Sequence, residues 1–483
     1  MCCAGRVSKA QVHFLFWLYL FILLWADATA MNPADPDLWH RLALGEALWQ
    51  TGHFPPGDTF SYLADYQNVA DHEWGSALIF YPIYAWGGGM AMVVLKIVTL
   101  GITMILVISA ALRQRPIGAL LTAFYAVVLL ALLPNFASTL RCMSFTHILL
   151  ALWVYWFQCE RFGRPIRTVW YVLTMILWAN LHGGFVTGLA WLFLITGIEA
   201  WYGGAWKKWA VRFGLCALAT LVNPFGIQLW ISTARALTAP RRGFSEWAPV
   251  TWWPEVMAYP GYKLLLVGLI AALVVRIIRV GWKEMDRPVM MILGVFIALS
   301  LTSARHTSLF GVVAGALAPG LFPQETTLRR IRNPLNRLGY MGLFSTLLIV
   351  PLYIAFMILP GDGLSLRYES ASCPVAAVDY LKAAKITGNL LVPFNYGSYA
   401  LWELRGKMRV SMDGRYDLVY RPETYQRVDD FFLAQGNWKS LLVSPPPQAV
   451  LLSMADAVYP KLKEDPAWTE AWHDDVDAVF LPK

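Results

Sequence analysis

Acidic and imidazole side chains are concentrated at the two ends of one segment, residues 31–74. They are Asp35, Asp37, His40, His72 and Glu73. The segment follows directly on an apolar run, residues 12–25, which places it at a membrane surface. Carboxylates beside a bilayer are costly unless they have a function or partners that satisfy them. We therefore predict that this segment, called the first loop below, contains a reaction centre.

Asp35 and Asp37 each allow a structural and a catalytic interpretation. Asp35 precedes a proline and suits a turn, whereas Asp37 precedes an amphipathic run, 38–49, and suits a helix N-cap. The catalytic alternative is a general base that deprotonates an acceptor hydroxyl. His72 and Glu73 are candidates for a second acid–base pair. Together with Asp37 they also offer three ligands for a divalent ion such as Mg²⁺ or Mn²⁺.

Four cationic or imidazole residues fall at the predicted outer ends of helices, where the positive-inside rule disfavours them. They are Arg141, His182, Arg305 and His306. Each alone is explained by snorkelling to headgroups or by pairing with loop carboxylates. Together, and with His40 of the first loop, they favour an anion-binding site. Arginine suits phosphate because its guanidinium donates paired hydrogen bonds. The sequence thus predicts a polyprenyl phosphate or diphosphate ligand.

The composition predicts a membrane protein with many spans and a mainly α fold. Of 483 residues, 57% are hydrophobic and 14% charged, with a mean hydropathy of +0.49. A soluble protein would carry about a quarter charged residues. The net charge of +8 does not indicate nucleic acid, because the basic residues lie in short loops between apolar runs. Six cysteines without a CxxC pair argue against a disulfide framework or a thiolate zinc site.

Apolar runs of about 20 residues predict about eleven transmembrane helices within residues 1–359. The runs are 12–25, 90–112, 117–135, 145–158, 168–182, 184–201, 211–224, 263–281, 288–304, 308–323 and 340–359. Basic residues alternate between loops, which predicts a cytoplasmic N-terminus and an extracytoplasmic C-terminus. The first run is favoured as a retained helix, and a cleaved signal peptide ending near Ala30 is the alternative. Residues 77–86 suit a buried or interfacial helix.

Residues 360–483, called the tail below, predict a small extracytoplasmic α/β domain. Predicted helices at 374–385, 422–433 and 455–463 alternate with predicted strands at 389–393, 408–412, 449–452 and 478–481. Asp413 and Arg415 follow the second of these strands. They suit either a simple turn or a substrate-binding surface that faces the first loop.

Several motifs along the chain resemble those of the GT-C superfamily of integral-membrane glycosyltransferases and, more closely, a family of bacterial membrane proteins near it. They are Asp35-Pro-Asp-Leu-Trp-His40, Asp58-Thr-Phe-Ser61, His72-Glu-Trp74, Asn180-Leu-His-Gly-Gly184, Asn223-Pro-Phe-Gly226, Arg305-His306 and Asp413-Gly-Arg415. The resemblance implies a location in the bacterial inner membrane and a lipid-phosphate sugar donor. It also implies a catalytic acidic residue in the first outer loop, which corresponds to Asp37 or Asp35 here.

Three functions remain open from the sequence. The first is a glycosyltransferase that moves a sugar from a polyprenyl-phosphate donor to a glycan, lipid or protein acceptor outside the cytoplasm. The second is a transporter or flippase of lipid-linked glycans, which should carry charge near the bilayer midplane and show repeated halves. Lys96 is the one deep charge and no halves repeat. The third is a non-catalytic subunit of an envelope-polysaccharide assembly, which would not need the first-loop carboxylates and Arg305 together.

Overall fold

A computed structural model describes residues 16–24, 32–55, 57–66, 69–114, 124–125, 128, 132, 140–238, 245–252, 259–322 and 364–483. The predicted span 340–359 and most of 117–135 lie outside the described residues. The description below concerns the remaining parts of the chain.

Helices dominate the chain up to residue 322. Their bounds are Leu38–Thr51, Trp74–Leu112, Met143–Arg161, Thr168–Leu181, Phe185–Trp201, Trp206–Ala219, Gln228–Thr238, Pro260–Val280, Arg287–Thr302 and Thr307–Leu317. Short 3₁₀ turns occupy Ser245–Trp247, Trp282–Glu284, Ala304–His306 and Ala318–Leu321, and residues 16–24 are also helical. Each predicted span within the described residues therefore coincides wholly or largely with a helix.

The longest helix, Trp74–Leu112, has 39 residues and a break at Gly88, whose φ of 56° lies in the left-handed region. Glycine adopts this conformation without the steric cost of a side chain. The break separates the predicted interfacial helix, 77–86, from the predicted span, 90–112. Among the described helices it is the one long and apolar enough to cross a membrane, with a hydropathy of 2.6. The number of spans remains a prediction.

The helices pack around a continuous apolar core that is rich in large aromatic side chains. Trp153 packs edge-on against Trp178, with ring centroids 5.4 Å apart, and both rings are fully buried. Trp178 donates its indole hydrogen to Thr146, 2.8 Å away. Because edge-to-face aromatic pairs have a preferred geometry, they fix the helices relative to one another. The ends of these helices consequently hold their polar residues in defined positions.

The tail contains a five-stranded mixed sheet covered by short helices. The strands are β1 Gly388–Leu391, β2 Met408–Val410, β3 Ala449–Ser453, β4 Trp468–His473 and β5 Asp477–Pro482, in the order β2-β1-β3-β5-β4. β1 is parallel to β2 and β3, and β5 is antiparallel to β3 and β4. The helices are Val375–Ala383, Phe394–Glu403, Tyr416–Val419, Pro422–Phe432, Ser440–Val443 and Val458–Lys463. The structure confirms the four predicted strands and three predicted helices of the tail.

The short helices Tyr416–Val419 and Ser440–Val443 were not predicted, and neither were two longer tail elements, β4 and the helix Phe394–Glu403. β4 is an edge strand, and a register shift between Glu470 and Trp472 interrupts the regular alternation by which a strand is recognised. The helix contains Gly397, against which the backbone of Met412 packs too closely for a side chain at position 397. Tertiary packing therefore decides these two elements against their weak local signals.

The first loop and the tail share one hydrophobic core. Trp39, on the helix Leu38–Thr51, stacks on Tyr368 and meets Tyr399 edge-on, with centroid distances of 5.5 and 5.3 Å. Ser61 pairs in parallel with Val410 at the edge of the sheet, where the Val410 amide donates to the Phe60 carbonyl over 3.0 Å. The loop thus extends the tail sheet beyond β2. The proposed domain division at residue 360 remains a prediction.

Candidate functional site

Asp37 immediately precedes the helix Leu38–Thr51, at the position of an N-cap, but its side chain makes no capping hydrogen bond. Its carboxylate is exposed and has no hydrogen-bond or ion-pair partner among the described residues. Asp35 behaves in the opposite way. It is buried, and its Oδ1 accepts a hydrogen bond from the Asp37 amide over 2.9 Å, which confirms the turn predicted for Asp35. Asp37 thus occupies the predicted N-cap position, but its side chain does not act as a cap, because a capping side chain accepts that bond.

The environment of Asp37 favours a protonatable carboxyl. Although the residue is exposed, its carboxyl lies close to other charged side chains. Desolvation and the neighbouring carboxylates of Asp35 and Glu73 raise the pKa of Asp37 to about 7, while Arg141 and Arg41 act to lower it. A carboxylate with a pKa near the working pH is suited to accept a proton from a reacting group.

Arg141 and Arg305 belong to an open arginine cluster, which also contains Asp35 and Glu246. Arg141 donates from Nε to Asp35, and its Nη1 lies 2.5 Å from Oε2 of Glu246. Arg305 Nη1 lies 3.2 Å from Oε1 of the same carboxylate. The side chains of Arg141, Glu246 and Arg305 are 36, 31 and 27% exposed. Two guanidinium groups from distant parts of the chain thus converge at an accessible position.

Glu73 lies in a second cluster with Arg41, Asp71 and His182. Arg41 is buried, forms an ion pair with Asp71 and places Nη2 2.5 Å from Glu73. Burial acts to raise the pKa of Glu73, but Arg41, His72, His182 and Arg305 together lower it below its ordinary value. Glu73 is consequently held ionised and is a poorer proton carrier than Asp37.

The orientation of His182 follows from its partners. Its Nδ1 accepts the Gly184 amide hydrogen over 2.9 Å and lies 2.8 Å from the Thr146 hydroxyl. The proton of the neutral ring is therefore assigned to Nε2, which lies 3.3 Å from Glu73. A side chain at position 183 would approach His72 Cδ2 to 2.7 Å, so glycine is required for this packing. The motif His182-Gly-Gly184 serves to bring the two imidazoles beside Glu73.

Asp413 and Arg415 form a buried arginine cluster with Asp58. Arg415 donates to Asp413 through Nε over 2.8 Å and to Asp58 through Nη1 over 2.5 Å, and all three side chains are buried. Burial acts to raise the pKa of Asp413, but the charge and the hydrogen bonds of Arg415 lower it to about 2. The structure brings this turn to the first loop, as predicted. Its charges are satisfied within the protein.

The turn between Asp413 and Arg415 directly adjoins Asp37. A Cβ atom at Gly414 would collide with Oδ1 of Asp37 and would lie 3.2 Å from the His40 ring. The Gly414 amide donates to Ser398 over 2.9 Å, and Ser398 Oγ lies 3.1 Å from Nδ1 of His40. His40 is buried, and desolvation lowers its pKa to about 3, so it is neutral. His40 therefore supports the turn beside Asp37.

The described residues do not fit the metal site that the sequence allowed. No group of three or more His, Cys, Asp or Glu side chains is arranged to hold an ion in these parts of the chain. Glu73 is already paired with Arg41 and His182. His306, predicted to bind substrate, places Nδ1 3.1 Å from the hydroxyls of Thr302 and Ser303 in its own turn.

Sequence analysis missed three contributors, Glu246, Arg41 and Asp71. Glu246 lies in a long loop in which no neighbouring motif distinguishes it from a solvated carboxylate. Arg41 occupies the first turn of an amphipathic helix, where a cation is usually exposed. Asp71 directly precedes the His72-Glu73 pair, and its Oδ1 accepts the Glu73 amide over 2.8 Å. Its place in an Asx turn was the available signal.

Comparison with known proteins identifies solved structures of similar fold. Arabinofuranosyltransferase AftD from Mycobacteria superposes with a TM-score of 0.56 at 12% identity over 99% of this chain. This chain spans 42% of AftD. ArnT from Cupriavidus metallidurans gives a TM-score of 0.57 in the apo state at 14% identity, with 98% of both chains covered. The form of ArnT bound to undecaprenyl phosphate gives 0.52 at 13% identity, with 97% of both covered.

The likeness shows that this chain shares the overall fold of AftD and ArnT, in agreement with the fold that the motif resemblance led us to expect. No protein-family model matches the sequence, and comparison with curated proteins finds no relative. The fold is thus established by structure at a level of identity where the sequences alone share little.

Proposed function

We propose that this protein is a membrane glycosyltransferase that transfers a sugar from a polyprenyl-phosphate donor to an extracytoplasmic acceptor. The observation that carries the proposal is the position of Asp37, an exposed carboxylate with a pKa raised to about 7, between Gly414 and the open arginine cluster. A proton acceptor and two anion-binding guanidinium groups are the two components that such a transfer needs. The undecaprenyl phosphate bound by ArnT supports the donor class.

In the proposed reaction, Asp37 accepts the proton of the acceptor hydroxyl as its oxygen attacks the anomeric carbon. The bond between that carbon and the phosphate oxygen breaks, and the electron pair stays on the phosphate. The phosphate therefore gains negative charge, which Arg141 and Arg305 stabilise as it develops. Asp35 holds Arg141 from the buried side, and Glu73 with its partners fixes the helix end beside the site.

The reaction proposed above uses no divalent ion. Whether the protein needs a metal is tested separately. Treatment with EDTA should leave turnover unchanged, and added Mg²⁺ or Mn²⁺ should have no further effect. If EDTA abolishes turnover and Mn²⁺ restores it, the reaction depends on a metal ion. Asp37, His72 and Glu73 would then have to rearrange to bind it.

The decisive experiment is an assay of the purified protein in lipid vesicles with defined polyprenyl-phosphate sugars, both pentose and hexose. Release of polyprenyl phosphate from one of these donors is expected from wild type. Asp37→Asn should abolish most of it. Movement of intact donor between the leaflets without release of polyprenyl phosphate would instead support the transporter. If neither sugar transfer nor movement of the donor is observed, the non-catalytic role in assembly remains.

The proposed orientation has its own test. Reporter fusions at Arg332 and at Lys483 should give opposite signals, with Arg332 cytoplasmic. A cytoplasmic signal from Lys483 would place the site on the wrong side for an extracytoplasmic acceptor.

A further inference from the structure

Glu246 holds the position between two arginines where an anionic ligand would bind. One carboxylate oxygen lies 2.5 Å from Arg141 and the other lies 3.2 Å from Arg305. The phosphodiester of a lipid-linked sugar likewise has two unesterified oxygens and a single negative charge. A carboxylate bridging two guanidinium groups therefore reproduces both the charge and the donor pattern that this phosphate would meet.

Both guanidinium groups are held by residues other than Glu246. Asp35, which is buried, pairs with Nε of Arg141 from the opposite side. The guanidinium carbon of Arg305 lies 4.8 Å from the ring centroid of Trp247, a distance typical of a cation–π contact. The arginines would consequently keep their positions when the Glu246 side chain leaves.

The backbone that carries Glu246 is fixed to the same site. The Ala304 amide donates to the Ala248 carbonyl over 2.8 Å, which joins the turn Ser245–Trp247 to the turn Ala304–His306. The Glu246 side chain, in contrast, is 31% exposed. Exchange with a ligand therefore moves the Glu246 side chain and leaves the backbone of the turn in place.

We propose that Glu246 is an internal competitor for the donor phosphate, which occupies the arginine pair in the empty site and is displaced by the lipid-linked phosphate. The inference rests on the proposed function for the identity of the ligand. After transfer the lipid phosphate is a monoester with a higher charge, and two arginines would retain it strongly. The return of Glu246 to the arginines opposes this retention and promotes product release.

The test is the binding of sugar-free undecaprenyl phosphate to the full-length purified protein in nanodiscs. Glu246→Gln keeps the size of the side chain and removes its charge. The apparent affinity for the lipid phosphate is reduced by the fraction of time that Glu246 occupies the arginines. Removing its charge should therefore tighten binding by a factor on the order of ten. Glu46→Gln is the matched control, since Glu46 forms an ion pair with Arg405 away from the arginine pair. It should not change binding.

A second measurement separates competition from product release. With a sugar donor, Glu246→Gln should lower the donor KM and also lower kcat, because the product phosphate leaves more slowly. If Glu246→Gln does not fold, Glu246→Ala replaces it in both measurements. Unchanged or weaker binding in a folded Glu246 variant would show that Glu246 orients the arginines and would overturn the inference.

The binding measurement is independent of sugar transfer. Tighter binding in Glu246→Gln without any glycosyl transfer would support the competitor role and count against the proposed function. Sugar transfer by wild type without tighter binding in Glu246→Gln would support the proposed function and count against the competitor role.

Discussion

The open and the buried arginine clusters use the same side chains in different environments. In the buried cluster, Arg415 lies between Asp58 and Asp413, whose side chains are 1 and 0% exposed. In the open cluster, Arg141 and Arg305 share Glu246, and all three side chains are about one-third exposed. A buried arginine with two carboxylates is satisfied and has no capacity for a ligand. In the open cluster Asp35 holds Arg141 from the buried side, and the second carboxylate, Glu246, is exposed enough for an anionic ligand to replace it.

The two clusters meet at Asp37. The turn that carries Arg415 presents Gly414 to the Asp37 carboxylate, and Asp35 of the open cluster accepts the Asp37 amide hydrogen. One cluster thus fixes the tail against the first loop, and the other offers a site for an anion beside the same exposed carboxylate. The comparison assigns stability to the buried cluster and, under the proposed function, ligand binding to the open one.

The largest effect should come from Asp37 itself. Asp37→Asn keeps the size of the side chain and removes its ability to accept a proton. Turnover should fall by a factor on the order of 10² to 10⁴, the usual contribution of a positioned general base. Asp35→Asn should act differently, because it weakens the support of Arg141 and raises the donor KM. Full turnover of folded Asp37→Asn in the vesicle assay would move the catalytic role to another residue.

Removal of Arg415 should destabilise the protein more than removal of Arg305. Arg415→Ala leaves two buried carboxylates without the positive charge that they share, which typically costs about 3–5 kcal/mol. Arg305→Ala leaves a half-exposed Glu246 that water and Arg141 can satisfy, so its thermal midpoint should stay near that of wild type. Thermal unfolding of both variants in one detergent tests the comparison. Equal loss of stability would remove the distinction between the clusters.

Arg305 should instead determine the affinity for the donor. Hydrogen bonds to charged groups contribute about 1.5–3 kcal/mol, so Arg305→Ala should raise the donor constant on the order of tenfold to a hundredfold. Arg305→Lys should recover part of this loss, because the charge remains while the paired hydrogen-bond donors are lost. The donor KM of the two variants gives the measurement. An unchanged KM in folded Arg305→Ala would exclude this arginine from the phosphate site.

The pH profile of turnover should report the ionisation of Asp37. A general base acts in its deprotonated form, and the pKa of Asp37 is raised to about 7. The rate should therefore be constant well above pH 7 and fall about tenfold for each pH unit well below it. The profile of kcat/KM for wild type between pH 5 and 9 is the measurement. A rate that is independent of pH across this range would contradict the assignment.

The smallest effect concerns stability and has a defined sign. The pKa of Asp37 in the folded protein is higher than that of an unfolded aspartate, so the folded state favours the protonated form. The contribution of Asp37 to stability is then fully present below about pH 4 and is lost as the pH rises through about 7. Asn does not titrate. The thermal midpoint of Asp37→Asn should consequently decline less than that of wild type between pH 6 and 8.

The sequence alone determined the elements of the fold and the segments that form the site. Long apolar runs predicted the helices, because burial in lipid or in a core requires continuous apolar surface. Short, mostly apolar runs bounded by polar residues predicted the four strands of the tail. The motifs also identified most of the charged residues that the structure brings together. Whether a segment forms a helix or a strand depends largely on residues close together in the chain, so a short stretch of sequence is enough to predict it.

Only the tertiary structure decided which of these residues are open and which are satisfied. Asp35 and Asp37 are two residues apart and of the same type, yet one is buried against Arg141 and the other is exposed beside Gly414. Arg415 and Arg305 were equivalent candidates until the structure placed Asp58 beside the first and Glu246 beside the second. The protonation and ligand capacity of a charged group depend on desolvation and on partners far along the chain. Those partners become known only when the chain is folded.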